Sequence, residues 1–308
     1  MRIKWLNNLK LLSDILSHFN YSRDKNNNIE ICRHFFDGLN LIYNEYYYQK
    51  YLKNKNNIKV YENQKLSELV IDNINDNEKE LIVESKQFKK FLNIEPSIMN
   101  MRVLIKAKYH PENISPSLKE MARREHKKLR DVFNKFITDA SLINDLLKNL
   151  CESLYVVRSN MDHGEKTPFG PDLNKFERDL TVCNSTLPLL KFLTDILLDY
   201  PNKKIAFYDT LKPGGINDIL LKDLQINLYK ASVRGNIYTK NNYLFFDWKI
   251  NNSRNEVFVY EPLPEDKIKE IDEFEGKLYK RILVPIETET DFKISNIYVE
   301  NKRYKLFQ

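Results

Sequence analysis

At residue 200 the texture of this chain changes, and that change limits the folds open to it. Upstream, apolar residues recur at helical spacing. Downstream they come in short runs separated by turns. Tyr200-Pro201-Asn202-Lys203-Lys204 lies between and reads as a boundary. The expected organisation is a mostly helical domain over residues 1–200, with its motif-bearing part at about 117–200. A small, barrel-like α+β domain follows over 201–308.

The first part opens with an amphipathic helix through Leu6, Leu9, Leu12, Ile15, Leu16 and Phe19. A second helix runs through Phe35, Phe36, Leu39, Ile42, Tyr43 and Tyr46. Its Tyr46-Tyr47-Tyr48 run beside Lys50 and Lys53 fits either a nucleic-acid surface or a core stripe with snorkelling lysines. Two shorter helices are expected around Leu66–Ile71 and Leu81–Leu92, and Met101 to Tyr109 fits a strand or a helix. Ser117 and Glu120 form a capping-box pattern. The helix it opens should bury Leu129, Val132, Phe133, Phe136 and Ile137. Its other face carries Lys119, Arg123, Arg124, Lys127, Lys128 and Arg130, a patch suited to plain solvation or to a phosphate backbone.

The next helix places Leu146, Leu150, Leu154, Val157 and Met161 on one face, and Gly164 and Pro168 supply its stop. Arg158 and His163 therefore fall in its last turns, where the macrodipole favours cations. An Arg158–Asp162 ion pair and a His163 carbonyl cap are the simplest roles for them. A final long helix from about Asn174 to Tyr200 carries Pro188, expected to kink it.

In the second part, strands are expected at Ile205–Tyr208, Lys230–Tyr238, Tyr243–Phe246, Val257–Tyr260, Tyr279–Glu287 and Ile294–Val299. A helical turn should fall within Ile216–Leu224, and a short helix should run from Pro264 to Phe274.

The formal net charge of +6 is compatible with nucleic acid without establishing it. Cys32, Cys151 and Cys183 have no motif spacing and read as thiols of a reducing cytoplasm. No apolar run approaches the roughly 20 residues needed to span a bilayer, and the polar residues Asn7, Asn8, Lys10 and Asp14 argue against a signal peptide. No convincing metal-ligand cluster stands out, so neither metal nor cofactor is expected.

Arg158, four residues, then His163-Gly164 at a helix end resembles the HEPN family of helical-bundle domains. That resemblance implies a metal-independent endoribonuclease whose Arg158–His163 pairs meet across a homodimer. Ser159 and Asn160 would then orient the phosphate, and Arg123, Arg124, Lys127 and Lys128 would track the RNA. A toxin or phage-defence setting, with an antitoxin or other partner, belongs to the same expectation. Residues 204 to 300 resemble the gamma-glutamylcyclotransferase-like family through Phe207-Tyr208-Asp209-Thr210-Leu211 with Gly214-Gly215, Val233–Tyr238, Ile271–Gly276 and Tyr279-Lys280-Arg281. The resemblance implies that Tyr208, Asp209, Thr210, Leu211, Gly214 and Gly215 form a loop whose backbone amides hold a gamma-glutamyl group. Glu275 would be the proton carrier for release of 5-oxoproline. Asp209 stands where that family has Gly, and a carboxylate there would repel an anionic substrate. Three readings stay open: an RNA-cutting enzyme with a sensing domain, a gamma-glutamylamine cyclotransferase with a helical dimerisation module, and a non-catalytic regulatory protein.

Overall fold

The computed structural model describes residues 5–53, 60–104, 110–162, 173–222 and 224–303. They divide into two compact units: 21–197, and 198–308 together with 1–20.

The first unit is all helical: α2 (Asn28–Tyr47), α3 (Glu62–Asn73), α4 (Asp76–Glu84), α5 (Lys86–Leu92), α6 (Pro116–Phe136), α7 (Ile143–Asp162) and α8 (Leu173–Leu197). α7 packs against α6 and α3, and α8 packs against α2 and α5. Leu146, Leu150, Leu154, Val157 and Met161 are all buried, so the stripe of α7 faces inward. Tyr46 is likewise buried and donates to Asp72, while Lys50 pairs with Glu68 at 2.9 Å and Asp72 at 2.7 Å. Tyr46 thus takes the core-stripe arrangement, whereas Tyr48 is 48% exposed.

Three local expectations are corrected. Helix α6 starts at Pro116, and its N-cap is Ser115, whose Oγ accepts from Leu118 N at 3.2 Å. Proline suits the first helical position because that N–H would have no helical partner, so the cap lies two residues before Ser117. The buried stripe of α6 is Ala122, His126 and Leu129, while Ile137 is 66% exposed. His126 was not expected inside. It is held because Ile98 N donates to its Nδ1 at 3.4 Å and its Nε2 lies 3.2 Å from Phe91 O. Finally, three helices occupy the stretch read as two. Ser85 is extended (ψ 147°) and its Oγ accepts from Phe88 N at 3.0 Å, starting a new helix without Gly or Pro. Met101–Leu104 forms a turn, and the rest of the ambiguous stretch, 105–109, lies outside the described residues.

The second unit is a closed five-strand barrel with one appended strand. Strands β1 (Ile205–Phe207), β2 (Asn227–Lys240), β3 (Tyr243–Trp248), β4 (Arg254–Glu261), β5 (Tyr279–Glu287) and β6 (Phe292–Glu300) run in the order β3-β2-β4-β1-β6-β5, and a β2–β5 pairing closes the ring. β1 is antiparallel to β4 and parallel to β6. β2 serves two neighbours: up to Arg234 it pairs with β4, and from Gly235 onward with β3. A Cβ at Gly235 would meet the Phe246 ring at 2.4 Å and Asp247 O at 2.5 Å, so the crossover needs glycine. Asn241 and Asn242, both with positive φ, make the two-residue turn into β3.

Alternation sorts the β1 side chains. Ala206 and Tyr208 join Val233, Phe246, Val257, Val259, Val284, Ile286 and Ile297 in one core cluster. Ile205 and Phe207 join a second cluster with Leu211, Tyr260, Ile268, Ile271 and Tyr298, which seats helix α9 (Glu265–Glu275). The N-terminal segment read as the first helix of the helical domain groups with the barrel through residue 20. In α1 (Leu9–Arg23), the Asn20 amide donates to Leu283 O and accepts from Leu283 N, both at 2.7 Å. It supplies the hydrogen bonds a neighbouring strand would give. No described helix is long and apolar enough to cross a membrane.

Candidate functional site

Helix α9 delivers Glu275 at its last position. Gly276 follows with φ 64° and ψ −160°, a conformation that suits glycine, and its N–H donates to Asp272 O. Acids crowd this helix end, but they fare differently. Glu270 pairs with Lys267 at 2.6 Å, and Glu273 is exposed. Asp272 is clamped: Arg281 donates Nε and Nη2 to its two oxygens at 2.7 and 2.9 Å, and Tyr298 OH donates to Oδ1 at 2.7 Å. Glu275 is mostly buried and has no ion pair or hydrogen bond among the described residues. Burial, then the charges of Asp209 and Asp272, push its carboxyl up to about 8.

Asp209, two residues beyond β1, is near enough for its charge to act on Glu275. Burial holds its carboxyl above the usual carboxylate range, against a backbone amide and Lys212 that favour the charged form. Tyr279 is raised to about 12 by burial and by Glu275 and Asp209, and its hydroxyl donates to Leu244 O at 2.9 Å. Tyr208 is also raised, by burial first and then by Asp209. Its hydroxyl donates to Tyr298 O at 3.2 Å, so it forms a wall of the barrel. Tyr208, Asp209, Glu275 and Tyr279 thus form one electrostatic neighbourhood.

The 209–218 loop is tied to itself. Leu211 N donates to Asp209 Oδ1 at 3.4 Å, Lys212 N to Asp209 O at 3.2 Å, Gly214 N to Asp218 Oδ2 at 2.9 Å and Gly215 N to Lys212 O at 2.8 Å. Asn217 closes it, with its N and Nδ2 donating to Thr210 O and Oγ1 at 3.0 and 2.9 Å. A Cβ at Gly215 would lie 2.2 Å from Thr210 O, and Gly214 has φ 77°. Of the amides expected to hold a ligand, those of Leu211, Gly214 and Gly215 are bonded within the loop, that of Leu211 to Asp209.

The second constellation is in the helical unit. Arg158 sits in the last turn of α7, with only 12% of its side chain exposed. Nη1 contacts the Tyr43 hydroxyl and Glu62 Oε2 (2.7 Å), and Nη2 lies 3.3 Å from Asp162. The guanidinium also stacks 5.8 and 5.9 Å from the Tyr43 and Tyr155 ring centres. Asn160 uses its amide on Met101 N (3.0 Å) and Met99 O (2.8 Å), and Ser159 is buried. His163 lies outside the described residues. Of the basic patch, Lys127 pairs with Glu120 at 2.5 Å, Arg123 is half-buried, and Arg124 and Lys128 line a cavity.

Comparison with known families now bears on the barrel. Residues 205–306 match the family described as Gamma-glutamyl cyclotransferase, AIG2-like. The barrel has the gamma-glutamyl cyclotransferase fold. The family match does not reach the helical unit. No curated protein matches the chain. Among solved structures, YkqA from Bacillus subtilis is 23% identical over 32% of this chain and 36% of its own, with a TM-score of 0.29. An uncharacterized protein from Pyrococcus horikoshii is 21% identical over 33% and 80%, with a TM-score of 0.26. An allophanate hydrolase from Kluyveromyces lactis is 9% identical over 82% and 54%, with a TM-score of 0.27. The chain thus spans little more than a third of the YkqA chain.

The sequence reading missed three partners of the site: Tyr279, and the Arg281–Tyr298 clamp on Asp272. Tyr279 and Arg281 stood inside a quoted motif, so the signal was there. Tyr298 carried none.

Proposed function

We propose that the barrel is a cyclotransferase acting on a gamma-glutamyl amine or related amide. The observation that carries this reading is Glu275, a mostly buried carboxyl with no ion pair or hydrogen bond among the described residues, within reach of the Asp209 charge in a barrel of that family's fold. In the reaction the substrate's α-amine, once deprotonated, attacks its own side-chain carbonyl carbon. A C–N bond forms, the amide C–N bond to the leaving amine breaks, and 5-oxoproline departs. Glu275 takes the proton from the attacking ammonium and returns it to the leaving nitrogen. The Asp209 carboxyl suits the substrate's α-ammonium and would repel a further carboxylate on the leaving amine, which selects against acidic leaving groups. The test is release of 5-oxoproline from gamma-glutamyl amines and peptides by the full chain. Turnover that is lost in Glu275→Gln supports the reading, and its absence across the panel, or equal turnover in the variant, ends it.

A second reading, for the helical unit, is the Arg158–His163 ribonuclease. In its favour is the place of Arg158 in the final described turn of α7. Against it is that guanidinium's engagement with Glu62, Asp162 and Tyr43. RNA cleavage in EDTA that disappears in His163→Ala would support it, and equal cleavage by wild type and variant would sink it.

A further inference from the structure

The helical unit contains an open cavity of about 590 Å³ that shares Arg124 and Lys128 with the basic patch. Asn63 of α3, Asn100, Arg124, Glu125 and Lys128 of α6, and Glu152 of α7 line it. Its size falls in the range of small-molecule sites. Tyr155 and Val156 supply an apolar floor.

Arg124 and Lys128 are exposed at the rim, but the shielded part of the polar lining is not self-satisfied. Lys128 and Glu152 share the cavity, yet neither makes an ion pair or hydrogen bond among the described residues. Glu125 accepts from Arg124 at 3.4 Å through Oε1, but its Oε2 is shielded from solvent and has no partner among the described residues. A shielded carboxylate oxygen left unpaired is costly, and a ligand N–H would relieve it. Two cations and two anions therefore face one volume, with one of each sign uncommitted.

That balance selects among ligands. A phosphate backbone gains from an unbroken run of cations, but here Glu125 and Glu152 offset Arg124 and Lys128. A simple anion or cation meets repulsion as well as attraction. A molecule bearing both signs a few bonds apart gains from both. We propose that this cavity binds a small zwitterion of the free amino acid or short-peptide class. Its ammonium sits at Glu125 and Glu152, its carboxylate at Lys128 and Arg124, and the Asn63 and Asn100 amides complete the polar contacts. The proposal stands on the helical unit alone and does not depend on chemistry in the barrel.

The test is calorimetric titration of the full chain with the protein amino acids, glycylglycine and glutathione, each to about 5 mM, which reaches millimolar Kd. At least one probe should bind. Its affinity should fall about tenfold or more, roughly one 1.4 kcal/mol interaction, in both Lys128→Gln and Glu152→Gln. Neutralising either charge on the probe, by N-acetylation or esterification, should have the same effect. Circular dichroism melts matching the parent's establish that both variants fold. If no probe binds, or binding ignores both variants, the proposal is overturned. It is also overturned if a short single-stranded RNA binds more tightly to Glu152→Gln and more weakly to Lys128→Gln while no zwitterion binds. That outcome would hand the cavity to a polyanion.

Discussion

Glu275 should make the stability of the barrel depend on pH in a direction unusual for a carboxylate. Its folded carboxyl titrates at about 8, against an ordinary value of 4.5. The folded state therefore holds this proton more tightly than the unfolded chain does. Stability from this group is fully present below about 4.5, declines as pH rises toward 8, and is then lost. Ionising it in place costs at most ~5 kcal/mol, since each pH unit is worth about 1.4 kcal/mol. Glu275→Gln keeps the shape and removes the charge, and no hydrogen bond of Glu275 is forfeited. The two proteins should have similar stability near pH 5. By pH 9 the variant should be more stable by roughly 3–5 kcal/mol. With a urea m-value of about 2 kcal/mol/M, the midpoints should separate by on the order of 2 M. Urea melts followed by tryptophan fluorescence, to which Trp248 on the appended strand β3 contributes, read this. Parallel pH profiles for the two proteins would refute the claim that Glu275 is held protonated by burial and by Asp209.

Asp209→Asn removes the largest charge acting on Glu275 and keeps an acceptor for Leu211 N, so carboxyl NMR should show Glu275 titrating below 8. If the barrel is active, the acid limb of kcat/KM should move down with it. His126 is held near 4 by burial, so the helical unit should be fully stable above about 6.5 and lose about 3 kcal/mol as pH falls to 4. Denaturant melts followed by far-ultraviolet dichroism check this, and no change over that range would refute it. Asn20→Ala strips both hydrogen bonds from Leu283 and should cost about 1–3 kcal/mol, seen as a lower barrel urea midpoint with an unchanged helical unit.

What could be read from the sequence, and what could not, follows from how local each determinant is. The strand at Ile205-Ala206-Phe207-Tyr208 was legible as a short apolar run, but not which residues enter which core, because all of it is apolar and both its faces are buried. The stripe of α7 was legible because five apolar residues repeat at helical spacing. His126 was not, because a polar side chain inside a helix is fixed by the carbonyl of Phe91 and the amide of Ile98, both far along the chain. The break at Ser85 was hidden for a related reason: one hydroxyl does there what Gly or Pro would announce. Asn20 is the extreme case, a polar side chain acting as a strand neighbour for Leu283, 263 residues away.

The candidate site divides the same way. Glu275 could be named from its motif, but the motif is an acidic run, and composition alone does not say which acid is different. The fold decides it. Asp272 meets Arg281, Glu270 meets Lys267 and Glu273 meets water, whereas burial and the charges of Asp209 and Asp272 push the Glu275 carboxyl up to about 8. Asp209 sharpens this. As a sequence departure it argues against binding a carboxylate, and in the structure it also takes up the Leu211 amide and raises its neighbour. On the proposed reading, one residue therefore sets both which ligand charge the loop accepts and the pH at which Glu275 works. If the barrel is an enzyme, its substrate range and pH profile should shift together in Asp209 variants. Independent shifts would mean that Asp209 acts on the loop alone.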